Sequence, residues 1–306
     1  MYPQSRRSNQ DLPIMSAASC VLCGIIFVAL NANSSGGWAA TARWGLLPES
    51  AIYKGAYWAL ISSAFVHVQL LHLLFNLSWL WSLGGALERT IGPWRWLLFL
   101  LTSAFVSSGL QLALGGMGIG MSGVIYAMFG FAWATRRRFP EMAMMATKGN
   151  VQIFVGWGVL CIFLTYTHLM NIGNGAHFGG LLFGLAVGAL VDHPKLRIPA
   201  SLGLVVLTAG AIVPLYWNPL SPLWAAWKAD GAFQRNDVPE AIRFTRMYLD
   251  RGGDDQEWAW RNLAIVYAHQ KDRAHFQEAI DHLKAVNRNE AESLAGDYDA
   301  LGASSP

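Results

Sequence analysis

The stretch GGMGIGMSGVIYAMFGFAWATRRR, residues 115–138, decides the fold because its apolar helix is too short to cross a membrane alone. From Ser122 to Arg136 is 14 residues, or about 21 Å of helix against about 30 Å of hydrocarbon. Ser122 is therefore predicted at a helix N-terminus roughly 10 Å below the outer surface. Irregular backbone at that depth is tolerated only where it is buried or lines a watery cavity. A cavity that contains a serine is the beginning of an active site.

Apolar segments on both sides of this stretch predict an all-α, polytopic membrane helix bundle. The 306 residues are 54% hydrophobic and 13% charged, about half the charged share of a soluble domain. Five long intervals lack charged residues, and each has room for one or two spans of about 20 residues. The predicted spans are seven, at about residues 14–31, 65–84, 94–114, 119–135, 152–169, 176–191 and 198–217. The first lacks a clear cleavage site and is expected to be retained.

Basic residues near the span ends predict the orientation. With a cytoplasmic N-terminus, the inside loops hold ten Lys and Arg residues and the outside loops two, Arg43 and Lys54. Everything after about residue 220 is then extracytoplasmic. The formal net charge of +3 is explained by this bias, so no nucleic-acid partner is expected. The ten inside residues are Arg6, Arg7, Arg89, Arg95, Arg136, Arg137, Arg138, Lys148, Lys195 and Arg197.

The composition changes after Pro222, where charged residues return and apolar residues become helically spaced. Glu240-Ala241-Ile242 recurs as Glu278-Ala279-Ile280, 38 residues later, close to the 34-residue period of a tetratricopeptide repeat. We predict a small soluble α-helical repeat domain at 225–290 and a flexible tail at 291–306. An ordinary amphipathic helical hairpin is the alternative. Residues 1–13 are predicted to form a cytoplasmic segment. The cysteines Cys20, Cys23 and Cys161 lie in spans, which does not fit a disulfide framework.

Two further polar clusters lie in predicted spans, where such side chains are costly unless they face a bundle interior or water. His72 and Asn76 are four residues apart, on one helix face, and can both donate to one point. Bridging of neighbouring helices is the alternative. His177 precedes a glycine stripe that can pack closely on a second stripe, and a bundle-interior histidine is the alternative. The stripes are Gly180, Gly184 and Gly188, and Gly123, Ala127, Gly130 and Ala134.

These clusters together predict acyl-transfer chemistry. A serine becomes a good nucleophile when a histidine accepts its proton, and touching stripes would bring His177 to Ser122. No acidic residue lies within a predicted span, so Tyr126, one turn below Ser122, is expected to orient the histidine. Asn76, His72 and the backbone N–H of Ser122 are the candidate donors to the oxyanion.

The same residues resemble the rhomboid family of intramembrane serine proteases over about residues 20–192. The matching motifs are His72 with Asn76, Gly120-Met121-Ser122-Gly123, Tyr126, Leu83-Gly84-Gly85-Ala86-Leu87-Glu88 and Ala176-His177-Phe178-Gly179-Gly180 with Gly184. The resemblance implies a six-span core at 14–192, a seventh span within 193–220, and a Ser122–His177 dyad. His72, Asn76 and the Ser122 amide would line the oxyanion hole, with Gly120 and Met121 in support and Tyr126 stacked on the histidine.

The resemblance also implies transmembrane proteins as substrates, in the lipid bilayer of a bacterial cytoplasmic (inner) membrane, with no cofactor. A protein or peptide partner is expected for the repeat domain. In one departure, Trp58 is followed by Ala59 where family members often carry arginine. The main alternative is an inactive relative that binds clients without cleaving them. A transporter would be expected to carry Asp or Glu in its spans, and the predicted spans hold neither. Zinc and aspartyl membrane proteases do not fit either, because the sequence has neither a His-Glu-x-x-His motif nor a pair of intramembrane aspartates.

Overall fold

The computed structural model describes residues 12–32, 42–45 and 47–303, and regular structure there is helical throughout. The chain divides into two compact units, Met1–Tyr216 and Trp217–Pro306. Most of the predicted cytoplasmic segment 1–13, including Arg6 and Arg7, lies outside the described residues. An all-helical bundle is therefore confirmed for the described part of the chain.

Seven long apolar helices make up most of the described part of the first unit, and we number them α1 to α7. Three shorter helices, Glu49–Tyr53, Ala59–Ser62 and Pro140–Met145, lie between them in the chain. Within the described residues, six helical segments are long and apolar enough to cross a membrane, which supports an integral membrane protein. α4 is shorter, so the count of seven spans stays a prediction. The helices are α1 (Ile14–Ala32), α2 (Leu70–Ile91), α3 (Pro93–Ala113), α4 (Ser122–Thr135), α5 (Lys148–Tyr166), α6 (Asn174–Asp192) and α7 (Arg197–Ile212). The 3-10 turns at both ends of α7 extend it to a spanning segment of Pro194–Leu215.

The outer surface of this unit is apolar. Val159 on α5 is 62% exposed, and Ile198 and Val206 on α7 are 76% and 68% exposed. A protein in water rarely exposes contiguous aliphatic surface of this kind, whereas lipid tails solvate it well. α4 is the opposite case, because most of its side chains are buried and a helix apolar on all faces belongs in the centre of a bundle.

The helix α2 differs most from its predicted span of 65–84. It begins at Leu70, because Ser63–Phe65 form a 3-10 turn and Val66 and Gln69 are extended. It continues to Ile91 through a π-helical turn at Leu80–Gly84. Near its C-terminal end, the buried carboxylate of Glu88 accepts hydrogen bonds from two N–H groups and a hydroxyl at the start of α1. Negative charge is favourable at a helix N-terminus.

The second unit consists of five helices. They are α8 (Pro222–Gln234), α9 (Val238–Asp250), α10 (Gln256–His269), α11 (Arg273–Val286) and α12 (Arg288–Ala303). Side-chain oxygens of Ser221, Asp237, Asp255 and Asp272 accept N–H bonds in the first turns of α8 to α11, the usual N-cap arrangement. Assignment of these helices to tetratricopeptide repeats stays a prediction.

The tail predicted at 291–306 differs from the structure. Helix α12 runs through most of it, to Ala303, and residues 304–306 lie outside the described residues. The reason is packing: Ala291 is fully buried, and Leu294, Ala295 and Tyr298 pack against the apolar core of α10 and α11. The ordered domain therefore extends past residue 290.

Candidate active site

The structure brings the hydroxyl of Ser122 to the imidazole of His177. The Oγ atom of Ser122 lies 2.8 Å from Nε2 of His177, within the range of a good hydrogen bond. Ser122 is the first residue of α4, and His177 lies in the first turn of α6. The pair therefore joins the N-termini of two neighbouring helices.

Glycines allow these two helices to approach so closely. A Cβ atom placed on Gly180 would lie 2.0 Å from the carbonyl oxygen of Gly123, and one on Gly184 would lie 1.8 Å from that of Ala127. Neither position can hold a side chain without separation of the helices. Backbone therefore packs on backbone from Gly123 downward, as small-residue stripes permit, and the ends that carry Ser122 and His177 meet.

The His177 ring is held by aromatic stacking. Tyr126 lies parallel to it, with ring centroids 4.8 Å apart and planes at 17°. The Tyr126 hydroxyl in turn donates a hydrogen bond of 2.9 Å to the carbonyl oxygen of Phe154 on α5. The Nδ1 atom of His177 is buried and has no hydrogen-bond partner among the described residues. Stacking on Tyr126 therefore constrains the plane of the His177 ring.

The candidate oxyanion donors His72 and Asn76 line the same cavity as the pair. This cavity of about 740 Å³ is lined by His72, Asn76, Ser122 and His177 together with residues of α3, α5 and the loops before α4 and α6. One Asn76 N–H donates to the carbonyl oxygen of His72 at 2.8 Å, so a second amide N–H remains for a ligand. Asn76 is 1% exposed.

The turn before Ser122 is shaped around His72. Gly120 has a φ of +94°, and a Cβ atom there would lie 2.5 Å from the Cε1 atom of His72. Only glycine adopts this backbone without strain and leaves room for the imidazole. Met121 is fully buried and anchors the start of α4.

Two polar residues to which the sequence assigned no role lie against the turn and the start of α4. His67 is fully buried, and its Nε2 atom accepts a 3.4 Å hydrogen bond from the N–H of Met121. Its ring packs edge-on against His72, with centroids 5.0 Å apart. Ser107 of α3 lies against Gly123, where a Cβ would come within 2.7 Å of its Oγ. His67 lies five residues before His72 in the sequence, which is not a helical spacing. Residues 67–69 precede the helix, so a helical pattern could not have placed His67 beside His72.

Residues 54–193 match the family model described as the rhomboid domain. This match supports a similarity to the rhomboid family. Ser122, His177, His72, Asn76 and Tyr126 all lie inside this rhomboid match. The chain is also 34% identical over 185 residues to the "Rhomboid protease GlpG" of Yersinia enterocolitica serotype O:8 / biotype 1B (strain NCTC 13174 / 8081). That alignment covers 60% of this chain and 64% of the relative.

Proposed function

We propose that this chain is a rhomboid intramembrane serine endopeptidase that cleaves transmembrane segments of other proteins. The observation that carries the proposal is the 2.8 Å contact between Ser122 and His177, on the wall of a cavity within a bundle of membrane-spanning helices. Similarity to a relative named a protease agrees with this chemistry.

In the first step, the Ser122 hydroxyl donates to Nε2 of His177, with the ring proton on Nδ1. Attack of Oγ on the substrate carbonyl forms the new C–O bond as His177 takes the hydroxyl proton. The carbonyl oxygen becomes an oxyanion, which needs donors aimed at its position. The side chains of His72 and Asn76 supply two, and the Ser122 N–H supplies a third because the first-turn amides of a helix have no intrahelical partner.

In the second step, the imidazolium of His177 returns the proton to the leaving amine as the peptide C–N bond breaks. This leaves an ester on Ser122 and a free amine. Water from the cavity then attacks the ester while His177 acts again as base, which releases the carboxyl product and restores the serine. A cavity of about 740 Å³ has room for both an unwound peptide and this water.

The main alternative is a rhomboid-like protein that binds membrane clients without cleaving them. Retention of both Ser122 and His177 in contact favours the protease. The two are distinguished by reconstituting the full chain in liposomes with a model transmembrane substrate that carries helix-destabilising residues beside a small residue. We expect products that map by mass spectrometry to a single bond inside the span. Substrate that binds and stays intact would support the client-binding alternative.

The Asn76→Ala variant is expected to lower kcat by about 10²- to 10³-fold, because one oxyanion donor is worth roughly 3 kcal/mol. Turnover in reconstituted liposomes measures the effect. A matched control is Asn31→Ala on α1, since the Asn31 amide also donates to the carbonyl four residues earlier but lies away from the cavity. Equal turnover of Asn76→Ala and Asn31→Ala would exclude Asn76 from the oxyanion hole. The same substitution at His72 is expected to act in the same direction.

For the second unit we propose a protein or peptide partner outside the cytoplasm of a bacterium, with the chain in the inner membrane and its N-terminus cytoplasmic. Positive residues near the span ends support this orientation. A chain that lacks residues 225–306 tests this proposal. Its cleavage of natural substrates is compared with that of the full chain in native membranes. An unchanged set of cleaved substrates would argue against it.

A further inference from the structure

One side chain of α3 binds the segment that carries His177 and lies beside the segment that leads to Ser122. Gln111 lies near the C-terminal end of α3, which spans Pro93–Ala113. Its Oε1 atom accepts a 2.9 Å hydrogen bond from the N–H of Gly175 and a 3.4 Å bond from the N–H of Ala176. Both N–H groups belong to the first turn of α6. The Ala176 N–H is shared with the carbonyl oxygen of Gly173 at 3.1 Å, whereas the Gly175 N–H precedes the intrahelical bonds and depends on Gln111. Gln111 thus caps the helix that presents His177.

The other side of Gln111 faces the glycine-rich segment before Ser122. A Cβ atom on Gly116 would lie 3.6 Å from Nε2 of Gln111, and one on Gly118 would lie 3.5 Å from its Cγ. The contact with α6 is closer still, since a Cβ on Gly175 would lie 2.9 Å from Oε1 and 3.2 Å from Cα of Gln111. Glycine is needed for this approach at Gly175, whereas a Cβ at Gly116 or Gly118 would make an ordinary van der Waals contact with Gln111.

The position of α3 is fixed from its other neighbour as well. A Cβ atom on Gly109 would lie 2.7 Å from both Cβ and the carbonyl oxygen of Ala211 on α7. This backbone-level contact lies two residues before Gln111. Close packing of this kind resists displacement, so the amide of Gln111 is a fixed reference point for the segments that it touches.

We propose that Gln111 is a positioning residue that sets the separation of Ser122 and His177, an inference that rests on the proposed protease function. It is not a catalytic residue, because it contacts neither Ser122 nor His177 and acts through Gly175, Ala176 and the 116–118 segment. A shift of about 1 Å in a reacting pair can cost about 10²-fold in rate. A single cap between the two segments therefore has a direct effect on turnover.

The test compares two substitutions of similar size. Gln111→Leu removes the acceptor, and we expect kcat to fall about 10- to 100-fold with KM changed less than about twofold. The rate at which a fluorophosphonate probe labels Ser122 should fall by the same factor. Gln111→Glu keeps an acceptor oxygen, and negative charge is favourable at a helix N-terminus, so its kcat should stay within about threefold of the unaltered chain. Gln152→Leu, at an exposed glutamine on α5, is the matched control.

Hydrogen–deuterium exchange of the full chain provides a readout that does not depend on activity. Exchange at Gly175 should rise at least about tenfold in Gln111→Leu, because its acceptor is lost, and should stay low in Gln111→Glu and Gln152→Leu. Exchange at Ala176 should change less, because its N–H keeps the carbonyl oxygen of Gly173 as an acceptor. Unchanged exchange in Gln111→Leu would overturn the inference. So would faster exchange with unchanged labelling, because the cap would then not set the pair. Failure of the unaltered chain to label or cleave, with exchange still raised in Gln111→Leu, would instead overturn the proposed function on which the inference rests.

Discussion

Replacement of His177 by alanine is expected to lower the cleavage rate by about 10⁴-fold or more, because Ser122 then has no base for its proton. The Ser122→Ala variant should lose at least as much. The two residues act as one unit, so the double variant should be no slower than the slower single variant. Turnover of a transmembrane substrate in liposomes measures all three, and fluorophosphonate labelling of Ser122 gives an independent reading of His177→Ala.

The control for this series is a histidine of the same unit that is exposed and does not line the cavity. His168 lies in the turn between α5 and α6 with a φ of +56°, a conformation that asparagine tolerates. His168→Asn should cleave at the rate of the unaltered chain. Thermal unfolding of every variant should match the unaltered chain within a few degrees. Cleavage that persists in a folded His177→Ala variant would exclude the dyad.

The sequence was sufficient to predict helices that are long and continuously apolar. The spans predicted at 14–31 and 94–114 correspond to Ile14–Ala32 and Pro93–Ala113, because about 20 apolar residues are the length needed to cross hydrocarbon. The start of α2 was placed five residues early. Val66 and Gln69 are extended, and the tertiary contact of this segment, between His67 and the N–H of Met121, leaves no periodic signal in the sequence.

Part of the candidate site could also be predicted from the sequence. The four-residue spacing was enough to predict that His72 and Asn76 lie on one helix face, and the glycine stripes indicated that the helices that carry Ser122 and His177 pack together. Gln111 could not be found in this way. Its importance comes from the N–H groups of Gly175 and Ala176, 64 and 65 residues away along the chain, and a lone glutamine near a helix end gives no sign of a distant partner. A cap between distant segments depends on the tertiary structure and leaves no local pattern in the sequence.

The second large effect is expected from Gly184→Ala, which should lower the free energy of unfolding by about 3 kcal/mol. The new methyl group would lie 1.8 Å from the carbonyl oxygen of Ala127, so α4 and α6 must separate by roughly 1 Å or more in a close-packed bundle. These helices carry Ser122 and His177, so turnover should also fall about 10²-fold. Unfolding in a denaturing detergent, with circular dichroism as the signal, measures the stability change.

Comparison with other glycines separates close packing from a general cost of alanine. Gly203 on α7 has no atom within 4 Å of its Cβ position, so Gly203→Ala should leave stability unchanged or raise it by up to about 1 kcal/mol through helix propensity. Gly188→Ala should fall between the two, because its nearest neighbour is the methyl of Ala134 at 2.6 Å rather than backbone. Equal stability of the Gly184 and Gly203 variants would show that α4 and α6 can separate without loss, and the close contact of Ser122 with His177 would then need another cause.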